Sequence, residues 1–134
     1  MSDLGARFVA CRRWRWLPGM VDTLGNRMDD DGWPSYSTID HGASGAVEVA
    51  TWTLPAPWGA VPNVEDPATL GCILALVRET HNDLQLHVMP AYVPELQRTV
   101  WTIANMGGVM LFVGGPVMAD DEAAALLAAL EAAP

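Results

Sequence analysis

One stretch limits what this chain can fold into more than any other: Asp66-Pro67-Ala68-Thr69-Leu70-Gly71-Cys72-Ile73-Leu74-Ala75-Leu76-Val77-Arg78-Glu79. Asp66 is a favoured N-cap, and Pro67 suits the first helical position, where its missing N–H is no loss. Leu70, Ile73, Leu74 and Val77 recur at i, i+3, i+4, i+7, so the spacing predicts a helix over 66–79. Ala68, Gly71, Cys72, Ala75 and Leu76 leave almost no polar face before Arg78. A helix apolar nearly all round is expected to be covered on more than one side, by a sheet and by a second helix or a partner subunit.

The other elements follow in order. Residues 3–11 carry Leu4, Phe8 and Cys11 at helical spacing behind Ser2 and Asp3, which predicts a short N-terminal helix. Pro18-Gly19 marks a turn, and Val21 to Met28 reads as a short edge strand. Residues 29–45, rich in Asp, Gly, Ser and Pro without a period, read as a long exposed loop. Residues 46–54 alternate as a strand, and Pro55, Pro57 and Pro62 then hold an irregular approach to the central helix. Leu84 to Met89, Arg98 to Ala104 and Val109 to Val113 are three further strands, the last two joined by an Asn105-Met106-Gly107-Gly108 hairpin turn. Gly114-Gly115-Pro116 closes the sheet. Asp120-Asp121-Glu122 opens a C-terminal helix whose Ala123, Leu126, Leu127 and Leu130 stripe packs on the core. The expected fold is therefore α+β: a small, mainly antiparallel sheet with a C-terminal three-strand meander and helices packed on its faces. Residues 1–134 read as a single domain with an insertion at about 29–63.

At 134 residues such a domain buries roughly 65–70% of its unfolded surface without staples. Cys11 and Cys72 both lie in apolar, helix-like contexts, and two cysteines make no disulfide framework, so a cytoplasmic location is expected. Arg7 interrupts any early apolar run, so no signal peptide is expected, and the Leu70–Val77 run is too short to span a bilayer. The net charge of −9 argues against direct nucleic-acid binding, which needs a basic footprint. An acidic surface either keeps a protein soluble or mimics DNA. The chain has no lysine, which excludes a Walker-type phosphate lysine and Schiff-base chemistry.

Three segments, Trp14-Arg15-Trp16-Leu17-Pro18-Gly19-Met20, Asp66 to Glu79 and Asp121 to Pro134, resemble a family of small, mostly uncharacterised phage and prophage proteins. Its members share a "WRWxPGM" segment, a "DPATLGCxLALVRE" helix and a terminal Ala/Leu helix. The order of elements is also similar to phage "ABA sandwich" domains, in which helices flank a small sheet. The resemblance covers both ends and the middle helix, and it leaves 29–63 as an expansion. It implies a phage accessory protein, a class that includes many counter-defence factors.

Among residues that could carry chemistry, Arg12-Arg13-Trp14-Arg15-Trp16 stands out. Four arginines (Arg7, Arg12, Arg13, Arg15) fall within nine residues of an acidic chain, interleaved with two indoles. Guanidinium forks grip phosphate and indoles stack on nucleobases, so this composition suits a nucleotide pocket, with Arg78, Arg98 and Trp101 as further contributors. The competing reading has the tryptophans anchoring the N-terminal helix while the arginines pair with the surplus carboxylates. Asp40, His41 and Ser44 hold the side chains of a hydrolytic triad, but in one loop without a nucleophile elbow, and coincidence explains them. His81, Asp83 and His87 match no metal-ligand spacing, and Asp120-Asp121-Glu122 would repel a phosphate from the last helix. Met89, Met106, Met110 and Met118 read as core filler. Trp33, Trp52 and Trp58 lie in the least regular region, either pinned on the core or offered to a partner.

No nucleophile, base, metal or cofactor set emerges, so the expectation is a binding protein rather than an enzyme. With the resemblance, the leading reading is a phage-encoded counter-defence protein that binds and sequesters a nucleotide-type immune signal, as a homo-oligomer whose pocket lies between subunits. The alternative is an anti-CRISPR type of inhibitor that docks on a host defence complex as an acidic nucleic-acid mimic, with Asp29, Asp30 and Asp31 in the contact.

Overall fold

A computed structural model of the protein describes residues 4–28, 35–42, 45–53, 61–112 and 114–134. The chain runs through α1 (Leu4–Ala10), a hairpin of β1 (Ser35–Gly42) and β2 (Gly45–Thr53), and α2 (Pro67–Thr80). It continues through β3 (His87–Val93), β4 (Arg98–Asn105), β5 (Gly108–Val109), β6 (Leu111–Phe112) and β7 (Gly115–Pro116) to α3 (Glu122–Glu131). Every named strand pair is antiparallel, and β3, β4 and β5 form the three-strand meander in that order. The fold is α+β, as the alternation of apolar residues implied.

Both longer helices begin where their caps place them. The Asp66 carboxylate accepts from the Thr69 N–H and from the Thr69 hydroxyl, both at 2.9 Å, and that hydroxyl in turn accepts from the Val21 N–H at 2.9 Å. The cap of α2 thus also pins the segment that follows the Arg/Trp run. Asp121 caps α3 by accepting from the Ala124 N–H at 2.8 Å.

The hub of the core is α3 rather than α2. Ala125, Leu126, Leu127, Ala129 and Leu130 are buried, and the helix touches α1, α2, β3 and β4. Its alanines let neighbours approach closely while its leucines supply apolar area. Phe8 of α1, Ile73, Leu76 and Val77 of α2 and Ile103 of β4 join the same cluster. On α2 the described residues of the chain itself cover one side only. One face is buried, whereas Ala68, Gly71, Ala75 and Glu79 are exposed. Small side chains carry little apolar area, so leaving them in water costs little. Gly5 is required by contact: a Cβ there would lie 2.2 Å from Val61 Cγ1 and 3.1 Å from the Pro62 carbonyl oxygen.

Four sequence expectations change in detail. Part of the expected loop at 29–45 is β1, which pairs with β2 from Ser35↔Thr53 to Gly42↔Gly45 with a register shift between Thr38 and Ile39. A strand rich in Ser, Asp and Gly is legible only through its better-patterned partner. Val21 to Met28 is a turn, not a strand, closed by single bridges Val21↔Arg27 and Asp22↔Pro62. Buried Asp22 organises it, accepting from the Leu24 and Asn26 N–H groups at 2.9 Å and from the Asn26 amide at 3.1 Å. The strand expected over 84–89 lies at 87–93 and tolerates Pro90 because β3 is an edge strand. The strand expected over 109–113 divides into β5 and β6, after which Gly114 and Gly115, at φ +98 and +103, lead into β7.

Candidate functional site

The Arg/Trp segment leaves the C-terminal end of α1 and packs its indoles inward. Trp14 lies between Phe8, with ring centroids 5.7 Å apart, and Trp16, 5.4 Å away and edge-on at 80°. Both tryptophans pack against the core cluster, and the Trp14 Nε1–H is buried without an acceptor among the described residues. These indoles anchor the segment.

Most arginines are engaged. Arg15 forks onto Glu79, its Nη1 and Nη2 donating to the two carboxylate oxygens at 2.7 and 2.5 Å. That hydrogen-bonded pairing holds the Glu79 carboxyl below its ordinary range and raises Arg15 above its own. Arg7 pairs with Glu131 at 2.9 Å and Arg98 with Asp120 at 2.8 Å. Arg78 Nε donates to the Leu86 carbonyl at 2.6 Å, closing the turn between α2 and β3, and Arg27 donates to the Gly19 carbonyl at 2.8 Å. Trp101 packs on the core cluster. Arg78, Arg98 and Trp101 thus each hold a separate part of the fold.

Arg12 and Arg13 remain. They are exposed and have no ion-pair partner among the described residues. They line a cleft of about 480 Å³ with Cys11 on one side and Leu130, Glu131 and Ala133 on the other. The C-terminal ends of α1 and α3 both meet this cleft, and their partial negative charge favours the two guanidinium groups there. Glu131 on the opposite wall is already paired with Arg7. The cleft therefore has a cationic side that faces the C-terminal end of α3.

A second cavity, of about 390 Å³, opens on the meander and is lined by Ala91, Val100, Thr102, Leu111, Val117 and Met118 among others. Glu95 is the one charged residue among its described walls. It has no signature in the sequence, because alternation marks Val100 and Thr102 as one face of β4 without showing whether anything fills the space above them.

The remaining sequence candidates are dispersed. The His81 ring contacts the Ala129 carbonyl at 2.7 Å and lies 5.2 Å from Phe112. His87 contacts the Gln85 carbonyl at 3.1 Å, and Asp83 accepts from the Asn105 amide at 3.1 Å and the Gln85 N–H at 2.9 Å. Among the described residues no group of three or more His, Cys, Asp or Glu could hold a metal ion. The Cys72 thiol donates to the Pro18 carbonyl at 3.4 Å, and burial pushes its pKa up, away from nucleophilic reactivity. Asp40 and His41 are successive residues of β1, and Trp52 lies on β2. Ser44, Asp29, Asp30, Asp31, Trp33, Pro55, Pro57 and Trp58 lie outside the described residues. Among the described residues, no helix is long and apolar enough to cross a membrane. Comparison with family models, with curated proteins and with solved structures gave no match.

Proposed function

We propose that this protein is a non-enzymatic binding protein that sequesters a nucleotide-type small molecule, with Arg12 and Arg13 as the phosphate-gripping pair. The observation that carries this reading is the placement of those two guanidinium groups, which have no ion-pair partner among the described residues, on a cleft of about 480 Å³. Phosphate oxygens suit the arginine side, where bidentate charge-assisted bonds are strong. The exocyclic amino groups of a nucleobase suit the opposite side, where the C-terminal end of α3 carries partial negative charge. A ligand with an anionic end and a donor-bearing end fits both, whereas a simple anion fits only one. The site is thereby narrower than the full Arg/Trp run, since Trp14, Arg15 and Trp16 have structural partners.

The resemblance to phage accessory proteins adds the setting: counter-defence in the host cytoplasm, with the ligand an immune signalling nucleotide. Self-association belongs to the same reading, and the small-residue face of α2 at Ala68, Gly71 and Ala75 offers a second copy close approach. A monomeric mass by light scattering overturns that part.

The test is a thermal-shift screen against cyclic oligonucleotides, NAD-derived cyclic nucleotides and mononucleotides, with chromatography of each hit. At a hundred times Kd a ligand stabilises by about 2.7 kcal/mol, a shift on the order of several degrees. Arg12→Ala with Arg13→Ala should abolish the shift, and the nucleotide should be recovered intact. A chemically altered nucleotide overturns the non-enzymatic reading. No shift with any nucleotide overturns the ligand class and favours the alternative, an acidic inhibitor of a host nucleic-acid-binding complex, for which the net charge of −9 is the supporting observation.

A further inference from the structure

The outer face of the meander carries a cavity that Arg12 and Arg13 do not line. Ile103 and Trp101 belong to the core beneath α3, so Val100 and Thr102, alternate residues of the same strand, face the other way. Register places Ala91 opposite Val100 and Met89 opposite Thr102 on the edge strand β3. Val100 and Thr102 are 1% and 2% exposed, and they form the floor of the cavity of about 390 Å³. Its rim is apolar and open to water: Tyr92, Leu111 and Met118 are among the exposed large hydrophobic residues. At the floor lies an anomaly, because the Thr102 hydroxyl is buried with no hydrogen-bond partner among the described residues.

A buried hydroxyl without a partner costs more than a methyl group of the same shape. Valine would fill this position without that cost. We propose that the cavity is a binding site for an uncharged, largely apolar small molecule that carries one hydrogen-bonding group, which pairs with Thr102. The volume lies in the range of small-molecule sites, and one polar group on an apolar floor is their usual construction. Charge is excluded from the ligand, since the floor and most of the walls offer nothing to solvate it. Among the described residues no hydrogen bond holds the Thr102 hydroxyl, so the step between staggered χ1 wells by which, in this proposal, Oγ1 meets the ligand breaks no bond.

The occupant is a small molecule rather than a peptide strand or a second copy for two reasons. Pro90 interrupts the row of donors on the free edge of β3, which weakens strand addition. The unsatisfied group, moreover, lies at the floor rather than on the rim, where a flat protein surface does not reach.

The test uses N-phenylnaphthylamine, an uncharged two-part aromatic with a single N–H, titrated by fluorescence into the whole chain. Saturable enhancement at one site per chain is expected. Thr102→Val should weaken binding roughly three- to tenfold, the range of one net hydrogen bond, while the protein melts at an equal or higher temperature. Ala91→Phe, at a half-buried wall, should abolish binding with the fold intact by circular dichroism. Because Thr102→Val keeps shape and volume, it remains informative if Ala91→Phe misfolds. The proposal is overturned if the probe does not saturate, if Thr102→Val binds as the parent does, or if a folded Ala91→Phe still binds. It is also overturned if the probe-free protein is a dimer that Ala91→Phe converts to monomer, for then the face belongs to a second copy.

Discussion

On one face of β4, Trp101 and Ile103 lie against the leucines and alanines of α3, and on the other Val100 and Thr102 form the floor of an open cavity. The residues are neighbours on one backbone and all are apolar or nearly so. The inner face is filled by a helix whose side chains interlock with it. The outer face is walled by its own strand neighbours and by the β6–β7 region, which encloses space without filling it. Alternation in a strand therefore specifies that a face is shielded from water but not what shields it. Close packing is supplied by a second element, and where none arrives a site remains.

Stability measurements separate the two faces. Truncating Ile103→Ala opens a void under α3 and should cost about 2–5 kcal/mol by urea denaturation. Val100→Ala enlarges space that already exists and should cost about 1–2 kcal/mol. Equal costs would mean that the outer face is packed as tightly as the inner one. Thr102→Val sharpens the contrast because its sign is opposite. Removing a hydroxyl that has no partner among the described residues, while keeping the shape, should gain about 1 kcal/mol. A loss of stability on that substitution would show that the hydroxyl has a partner.

Arg12→Ala with Arg13→Ala touches neither face. Both arginines are exposed, so the unliganded protein should change by no more than about 0.5 kcal/mol. A larger loss in the absence of nucleotide would assign them to helix-end stabilisation instead of a binding site.

Much of this arrangement is legible in sequence, for local reasons. Asp66-Pro67 and Asp121-Glu122 place the starts of α2 and α3 because capping depends only on adjacent residues. Arg98 to Asn105 alternates, and so locates β4. What was not legible depends on distant partners. The Arg15–Glu79 fork joins residues 64 positions apart, and it turns a residue of the expected pocket into a brace on α2. Asp22 carries no sequence mark of burial, yet it is buried because three donors of its own turn converge on it. The cavity above Thr102 has no local signature at all. A Thr in an alternating strand looks the same whether its hydroxyl meets a partner, water or a void.

Acid should expose a different contrast, between the faces of the meander and its end. Asp83 accepts hydrogen bonds from the Asn105 side chain and the Gln85 N–H, and these bonds hold its carboxyl below the ordinary range. Through Asn105, whose side chain also accepts from the Gly107 N–H at 2.8 Å, Asp83 braces the β4–β5 turn. A carboxyl whose folded pKa is depressed adds stability that is fully present above the unfolded value of about 3.9, and that is lost as pH falls through the lower folded value. Neither Trp101 and Ile103 on one face of β4 nor Val100 and Thr102 on the other carries a carboxyl group. Hydrogen exchange followed from pH 5 downward, corrected for the intrinsic pH dependence of the chemistry, should therefore show the Gly107 amide losing protection below about pH 4. The Ile103 and Leu126 amides should keep theirs until global unfolding. Asp83→Asn should remove the pH dependence at Gly107 and leave the other two amides unchanged. Simultaneous loss at all three would mean that the turn, both faces and α3 open as one unit, and the difference between the two faces would then be one of packing alone, with no separate local stability behind it.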